Sequence, residues 1–487
     1  MSRPRGALAL LLHTHMPYVE GFGTWPFGEE WLWEAVATVY LPLLDLLEET
    51  EAPITVGLTP VLCDQLETLP AAAGGRLRDF LTGPTRIVHE EDSAGLESSG
   101  EAELAAEVRR AGRDYDQAVE RLDARGGDLL GAFARLGAEG QVELWSSTAT
   151  HALLPLLASD AGRRLQIATG IGAHESRFGS FGGGFWLPEC AYEPGLEREL
   201  SEHGVRAFCI DQSTARGVGA PEQLEPVTTD AGVMAVPIDW LSVELVWNHD
   251  SGYPSRPAYR DYHRRTTHDR RPWNAAGGPY RPADARTLAA NHARDFVSRC
   301  IERLAAHGRE RGRPGLLCCA IDTELLGHWW YEGQLWLRQV VDEARAQGLD
   351  LVTVSEGVER APPVERELEA SSWGAGKDLS TWDSPRVADL AFAARSAELR
   401  TVAAAAVRRE PVAALRRAAR ELMALQASDW AFQMTRELAG EYPLERVAAH
   451  AAAHDAALGA LMGRAPVPEP ALRNLAPHMA LAPLLAP

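Results

Sequence analysis

The chain has 487 residues, 46% hydrophobic and 24% charged, enough for a large core and for two or three structural units of ~100–200 residues each. Its 68 acidic against 48 basic residues give a net charge of −20, which excludes the basic surface that nucleic acid or an anionic membrane requires. Of those 48 basic residues only Lys377 is a lysine, which reads as genome composition rather than mechanism.

The six cysteines show no C-x-x-C spacing, which argues against a disulfide framework or a structural zinc site. No apolar run approaches the ~18 residues of a membrane span. The apolar stretch 7–12 follows a basic start, as in a signal peptide, but it is shorter than the usual ~7–15 residues and runs into His13. A buried first strand and a cytoplasmic protein are expected instead.

From there, short apolar runs alternate with longer amphipathic segments, the pattern of β/α units around a parallel sheet. Strands are predicted at 7–12, 54–58, 142–146, 184–187, 206–210, 316–321 and 351–354. Helices are predicted at 30–50, 161–178, 196–203, 283–309 and 335–347. This predicts an α/β fold, an irregular (β/α)7 barrel, with a doubly wound open sheet as the alternative. Residues 83–140 are charged and helix-patterned, and read as an inserted helical subdomain, domain B. Residues 1–82 and 141–382 then make the barrel, domain A. From residue 383 to 487 only helical periodicity survives, at 388–409, 411–429 and 444–462, which predicts an all-helical C-terminal domain C. The Pro/Ala-rich end, 465–487, reads as a loose strap.

Parallel barrels carry their active sites at the C-terminal ends of the strands. Polar residues fall there four times: His13 and His15 after the first strand, His151 after the third, Glu189 after the fourth, and Asp322 at the end of the sixth. One such residue is readily a loop anchor; four converging are not. Glu189 follows Gly-Phe-Trp-Leu-Pro and Asp322 follows an apolar strand, so both carboxylates have desolvating lead-ins. Paired carboxylates at two neighbouring strand ends suit glycoside cleavage, one as nucleophile and the other as general acid and then base. Glu324 and Glu332 read as supporting or surface residues. The His-x-His pair admits a second reading, a mononuclear metal hydrolase built on His13, His15, His151 and Asp322. Spacing leaves both open. The chain has fourteen tryptophans against eleven phenylalanines, and several follow these strand ends, where an indole face can stack on a sugar ring.

Three motifs together resemble glycoside hydrolase family 57, above all its 1,4-α-glucan branching enzymes. They are His13-Thr14-His15-Met16-Pro17-Tyr18 with Trp25-Pro26-Phe27-Gly28-Glu29-Glu30, Gly184-Phe185-Trp186-Leu187-Pro188-Glu189-Cys190, and Asp322-Thr323-Glu324-Leu325-Leu326-Gly327-His328-Trp329-Trp330. The resemblance implies a retaining double displacement on α-1,4-glucan, with Glu189 as nucleophile and Asp322 as acid/base, and no metal or cofactor. It implies substrate contacts from His13, His15, His151, Trp25, Trp247, Trp373, Trp382, Asp429 and Trp430. It also implies a long tyrosine-bearing loop after the fifth strand that caps the site. Here residues 212–246 are short and hairpin-like and contain no tyrosine, which predicts a branching enzyme with notable hydrolytic side activity. An α-amylase-like hydrolase or 4-α-glucanotransferase and a non-catalytic glucan-binding protein remain alternatives.

Overall fold

The computed structural model describes residues 6–248, 250–408, 412–463 and 474–485. Ten strands run in chain order as β1 (Ala7–Thr14), β2 (Ile54–Leu58), β3 (Val142–Ser147), β4 (Gly184–Trp186), β5 (Ala207–Ile210), β6 (Val227–Thr228), β7 (Met234–Pro237), β8 (Leu316–Asp322), β9 (Asp350–Val352) and β10 (Val364–Glu365). They form one sheet ordered β10-β6-β7-β5-β4-β3-β2-β1-β8. Seven of them, β1, β2, β3, β4, β5, β7 and β8, are joined in parallel. A single parallel bridge from Ile238, just past β7, to Cys318 of β8 closes the ring, with the Asp239 N–H donating to the Cys318 carbonyl at 2.9 Å. All eight residues of β1 are buried, as a parallel strand covered on both faces requires.

The expected barrel of seven strands forms, but with one member exchanged. The predicted strand 351–354 appears as β9 and pairs only with Ala7–Ala9 at the base of β1. Its place in the ring goes to β7, which sits in the segment read from sequence as a plain hairpin. That hairpin exists, since β6 and β7 are antiparallel, but β7 also pairs with β5 over four residues. Glycine at 184 has a local cause: a Cβ there would lie 2.0 Å from the Trp145 indole nitrogen, so that ring packs where a side chain would stand.

Helices α1 (Glu29–Ala35) and α2 (Leu41–Thr50), joined by one π-helical turn, cover β1 and β2. Five more lie between β2 and β3: α3 (Pro60–Leu66), α4 (Ala72–Thr82), α5 (Pro84–Ser98), α6 (Ala102–Ala124) and α7 (Leu129–Ala138). Two of these, α3 and α4, precede residue 83. The barrel continues with α8 (Asp160–Phe178), α9 (Leu196–Glu202), α10 (Ser213–Arg216), α11 (Trp240–Trp247), α12 (Pro282–Arg311), α13 (Gly333–Gln347) and α14 (Val354–Arg360). Between α11 and α12 a long excursion, described over 250–281, leans on the inserted helices. Its His268 imidazole contacts Asp92 at 2.8 Å, and its Arg260 pairs with Glu107.

The C-terminal helices are α15 (Ala388–Arg408), α16 (Ala413–Leu425), α17 (Ser428–Arg436), α18 (Tyr442–Leu461) and α19 (Ala482–Leu485). The single helix predicted at 411–429 is thus two, broken at Gln426 and Ala427. These helices share a core with barrel residues Tyr18, Val61, Ala149 and Leu165. The terminal strap is not loose over its described part. Leu475, Met479, Leu481 and Leu484 are buried. The Asn474 N–H donates to the Tyr18 hydroxyl at 2.6 Å and the Ala476 N–H to Asp64 at 2.7 Å. Residues 465–473 of the predicted strap lie outside the described residues. No helix among the described residues is long and apolar enough to cross a membrane.

Candidate active site

Glu189 sits in a one-turn 3₁₀ segment, Pro188–Cys190, immediately past β4, and Asp322 is the last residue of β8. In the sheet order these strands are not neighbours: β5 and β7 separate them on one side and β3, β2 and β1 on the other. The two strand ends therefore lie on opposite sides of the ring, which corrects the expectation of adjacent strand ends.

Three non-glycine residues here have left-handed backbone: His151 (φ 62°), Glu189 (φ 57°) and Cys190 (φ 51°). Each such residue costs of order 1–2 kcal/mol, and such strain concentrates at functional sites. Close hydrogen bonds hold it in place. The Trp373 N–H donates to the Glu189 carbonyl at 2.8 Å and the Cys190 N–H to Leu187 at 2.8 Å. The Trp373 indole N–H then donates to Glu189 Oε2 at 2.7 Å, so one residue fixes both the backbone and the carboxylate of Glu189.

Burial first, and the Asp322 charge second, push Glu189 up to about 8. Burial pushes Asp322 up to about 7 against the opposing pull of His15. Two desolvated carboxyls that repel one another share one proton at neutral pH. The indole N–H needs an acceptor and favours ionised Glu189. No hydrogen-bond donor among the described residues reaches the Asp322 carboxyl, so the hydrogen-bond geometry favours the proton there, although burial pushes Glu189 the higher of the two. Near-neutral carboxyls in those two states are what a nucleophile and a general acid require.

The histidines form a stacked cluster on the floor. His13 is in register with Asp322 across β1 and β8, and its ring stacks on Trp186 at 4.5 Å. His13 Nε2 and His151 Nε2 are 3.0 Å apart, so one carries the proton and the other accepts it. His151 Nδ1 meets the Ser428 hydroxyl at 2.8 Å, and His15 Nε2 meets Asp429 Oδ1 at 2.9 Å. Burial lowers both His13 and His151 well below the ordinary histidine value, so both are neutral hydrogen-bonding groups. Glu324 lies beneath: it accepts from the Tyr40 hydroxyl at 2.7 Å and from the His15 N–H at 3.2 Å.

The metal reading meets a different set from the one expected. Ligand atoms of His15, His151 and Asp429 lie within 4.8 Å of one another, with Asp429 where Asp322 was anticipated. The His15 and His151 rings, however, are stacked at 3.9 Å and 19°. In-plane lone pairs of near-parallel rings do not converge on one ion ~2.0–2.1 Å from each. This donor set does not fit a tetrahedral metal site.

The tryptophans divide by exposure. Trp25 is 74% exposed and Trp247 46%, open faces on which a sugar could stack. Trp329, also partly exposed, meets Trp247 edge-on at 6.0 Å. Trp382 is buried beside Leu153 and Ala191. Trp430 is buried too, under the Arg446 guanidinium, with its N–H on the Ala424 carbonyl at 2.8 Å. A ring covered in this way offers no face to a sugar, which corrects its expected place in the groove. It packs beneath the Ser428-Asp429 pair. Ser428, missed in the sequence, is a lone hydroxyl in a helical tail and carries no signal of its own.

The glycosyl hydrolase family 57 model matches residues 9–368, and the model of the 1,4-alpha-glucan branching enzyme C-terminal region matches 393–481. The 1,4-alpha-glucan branching enzyme of Thermococcus kodakarensis is 31% identical, the alignment covering 92% of this chain and 72% of that protein. A probable 1,4-alpha-glucan branching enzyme of Mycobacterium tuberculosis is 33% identical, with coverage of 94% and 92%. The crystal structure of the Thermococcus enzyme superposes with a TM-score of 0.89 at 30% identity over 98% of this chain and 96% of that one. That of the Pyrococcus horikoshii branching enzyme gives 0.87 at 30% identity, over 99% and 93%. An α-amylase from Thermotoga maritima, at 24% identity and 0.81 over 95% and 94%, shares the fold. With the two carboxyls at the mouth of a seven-stranded barrel, the chain belongs to glycosyl hydrolase family 57.

Proposed function

We propose that this protein is a retaining 1,4-α-glucan branching enzyme, with Glu189 as nucleophile and Asp322 as acid/base. The observation that carries the reading is the carboxylate pair: Glu189 is strained and indole-bound, and Asp322 is a desolvated acid beside it. Glu189 attacks the anomeric carbon of an α-1,4-linked glucose, while Asp322 donates its proton to the departing 4-oxygen. A glucan 6-hydroxyl then gives its proton back to Asp322 and attacks the same carbon, releasing Glu189 and forming an α-1,6 link. His13, His15 and His151 act as hydrogen-bonding groups to the sugar, with Asp429 orienting His15 and Ser428 orienting His151. Trp25, Trp247 and Trp373 shape the groove; Trp382, 3% exposed, is buried like Trp430 and offers it no face. The barrel of domain A spans 1–82 and 141–382, with domain B at 83–140 and domain C at 383–487. The six cysteines are all free, which suits a cytoplasmic enzyme, and the acidic surface suits neither nucleic acid nor membrane.

The test is incubation with amylose, counting new α-1,6 linkages against new reducing ends. The expected result is both, with a clear hydrolytic share. Residues 212–246 are taken up by α10, the β6–β7 hairpin and α11, leaving no run to reach over the mouth. In the excursion beyond it, the Tyr253 and Tyr259 hydroxyls are tied to Asp295 and His292, and the Tyr262 ring lies against His328 and under the Arg271 guanidinium. Water at ~55 M competes with the acceptor wherever the covalent intermediate is uncovered. Almost no new reducing ends would overturn the leaky-site reading, and no new α-1,6 links would favour the amylase alternative. Because the histidine rings stack rather than converge, full activity is expected in excess chelator. Stoichiometric zinc whose removal abolishes turnover would restore the metal reading.

A further inference from the structure

The sole lysine is not placed at random. Lys377 lies in the turn 372–378, four residues past Trp373, in left-handed backbone (φ 58°). Its Nζ sits 2.9 Å from Asp211 Oδ2, whose side chain is fully buried at the end of β5. The same ammonium lies 3.1 Å from the centre of the Trp240 ring, at the start of α11. The turn is closed on itself: the Ser372 N–H donates to the Lys377 carbonyl at 3.1 Å and the Lys377 N–H to the Gly374 carbonyl at 2.9 Å. At its other end the strand carrying Trp373 is stitched to the barrel mouth. Ser371 and Tyr192 exchange backbone hydrogen bonds at 2.9 and 3.0 Å, and the Trp373 N–H reaches the Glu189 carbonyl. One end of the turn thus rests on the β4 loop and the other on Lys377.

We propose that Lys377 is a positioning residue, holding the Trp373 indole N–H on the Glu189 carboxylate by anchoring its turn to Asp211 and Trp240. The proposal rests on the assignment of Glu189 as nucleophile. It also gives a physical reason for a lysine at this one position in a chain whose other 47 basic residues are arginines. An ammonium is a compact point charge that can descend onto a ring face while touching a carboxylate, whereas a guanidinium is a wide planar fork. Arginines stacked elsewhere in this protein keep their central carbon 3.7 Å or more from the ring centre. The space between Asp211 and Trp240 takes the smaller cation.

The test is a double-mutant cycle on amylose turnover with K377M, K377R and W373F. K377M is expected to lower kcat at least about tenfold and to leave KM within about twofold, the pattern of a misplaced reacting group. K377R, which keeps the charge and folds, is expected to lose nearly as much. In the W373F background K377M should cost less than about twofold, because the indole N–H it positions is already gone. A K377R enzyme with wild-type kcat, or a K377M cost that is equal in both backgrounds, would overturn the proposal. Should K377M fail to fold, K377R replaces it in the cycle with the same outcomes. A wild-type enzyme inactive on amylose would instead refute the functional reading. The positioning claim is then read from a crystal structure of K377R, where the Trp373–Glu189 hydrogen bond is expected to be broken; if it remains at 2.7 Å, Lys377 does not set it.

Discussion

Glu189→Gln is expected to lower turnover of amylose by roughly 10⁴-fold or more, the loss that follows removal of a covalent nucleophile. Glucan binding, measured by calorimetry or co-sedimentation, should stay within about threefold, because the amide keeps the shape of the carboxyl. It also keeps an oxygen for the Trp373 indole N–H, which now lies 2.7 Å from Oε2. The folded state should not suffer. Glu189 is desolvated and pushed up to about 8, so its charged form is costly in the fold, and an uncharged amide removes that cost. A variant that retains a tenth of wild-type turnover, or one that melts far below wild type, would show that Glu189 is not the nucleophile in the sense argued here.

Asp322→Asn separates the two chemical steps. With amylose the departing 4-oxygen needs a proton, and turnover should fall by about 10²–10⁴-fold, the typical weight of general acid catalysis. With an activated aryl α-glucoside the leaving group departs unaided, and the first step should survive, seen as a burst of released phenol. The pH profile gives an independent check. Asp322 is pushed up to about 7 by burial, and the acid must be protonated to act. The wild-type rate on amylose should therefore fall as pH rises through that range, and the variant's rate on the aryl substrate should not. Equal losses on both substrates would assign the acid to another residue, with Glu324 next in line because burial holds it up to about 8.

Much of this site was legible because parallel strands buried on both faces announce themselves as apolar runs, and whatever polar residue ends a run stands at the barrel mouth. His13, Glu189 and Asp322 were found that way. β7 was not, because Met-Ala-Val-Pro follows a turn at Ala231-Gly232 and looks like the return of a hairpin. Its second role depends on pairing with β5, some twenty-seven residues earlier, at Ala207↔Met234 through Ile210↔Pro237. Which strands face each other was equally out of reach, since ring order is set by long-range pairing. Trp430 misled because its motif sits beside Asp429, and only the helical packing shows which of the two turns inward. Lys377 carried a signal of its own, one lysine among 48 basic residues, but composition alone could not tell accident from need.

The histidine cluster takes its last partners from far along the chain. Ser428 reaches His151 across 277 residues, and Asp429 reaches His15 across 414. During synthesis at ~5–20 residues per second, His15 therefore leaves the ribosome roughly 20–80 s before its partner exists. The barrel with both carboxyls can be complete in that interval, yet two of its floor imidazoles still point at water. A chain halted before residue 428 would carry Glu189 and Asp322 intact and leave His15 and His151 without those two partners. The order of elements thus makes competence the last property the nascent enzyme acquires, after the strands and the inserted helices have found their place.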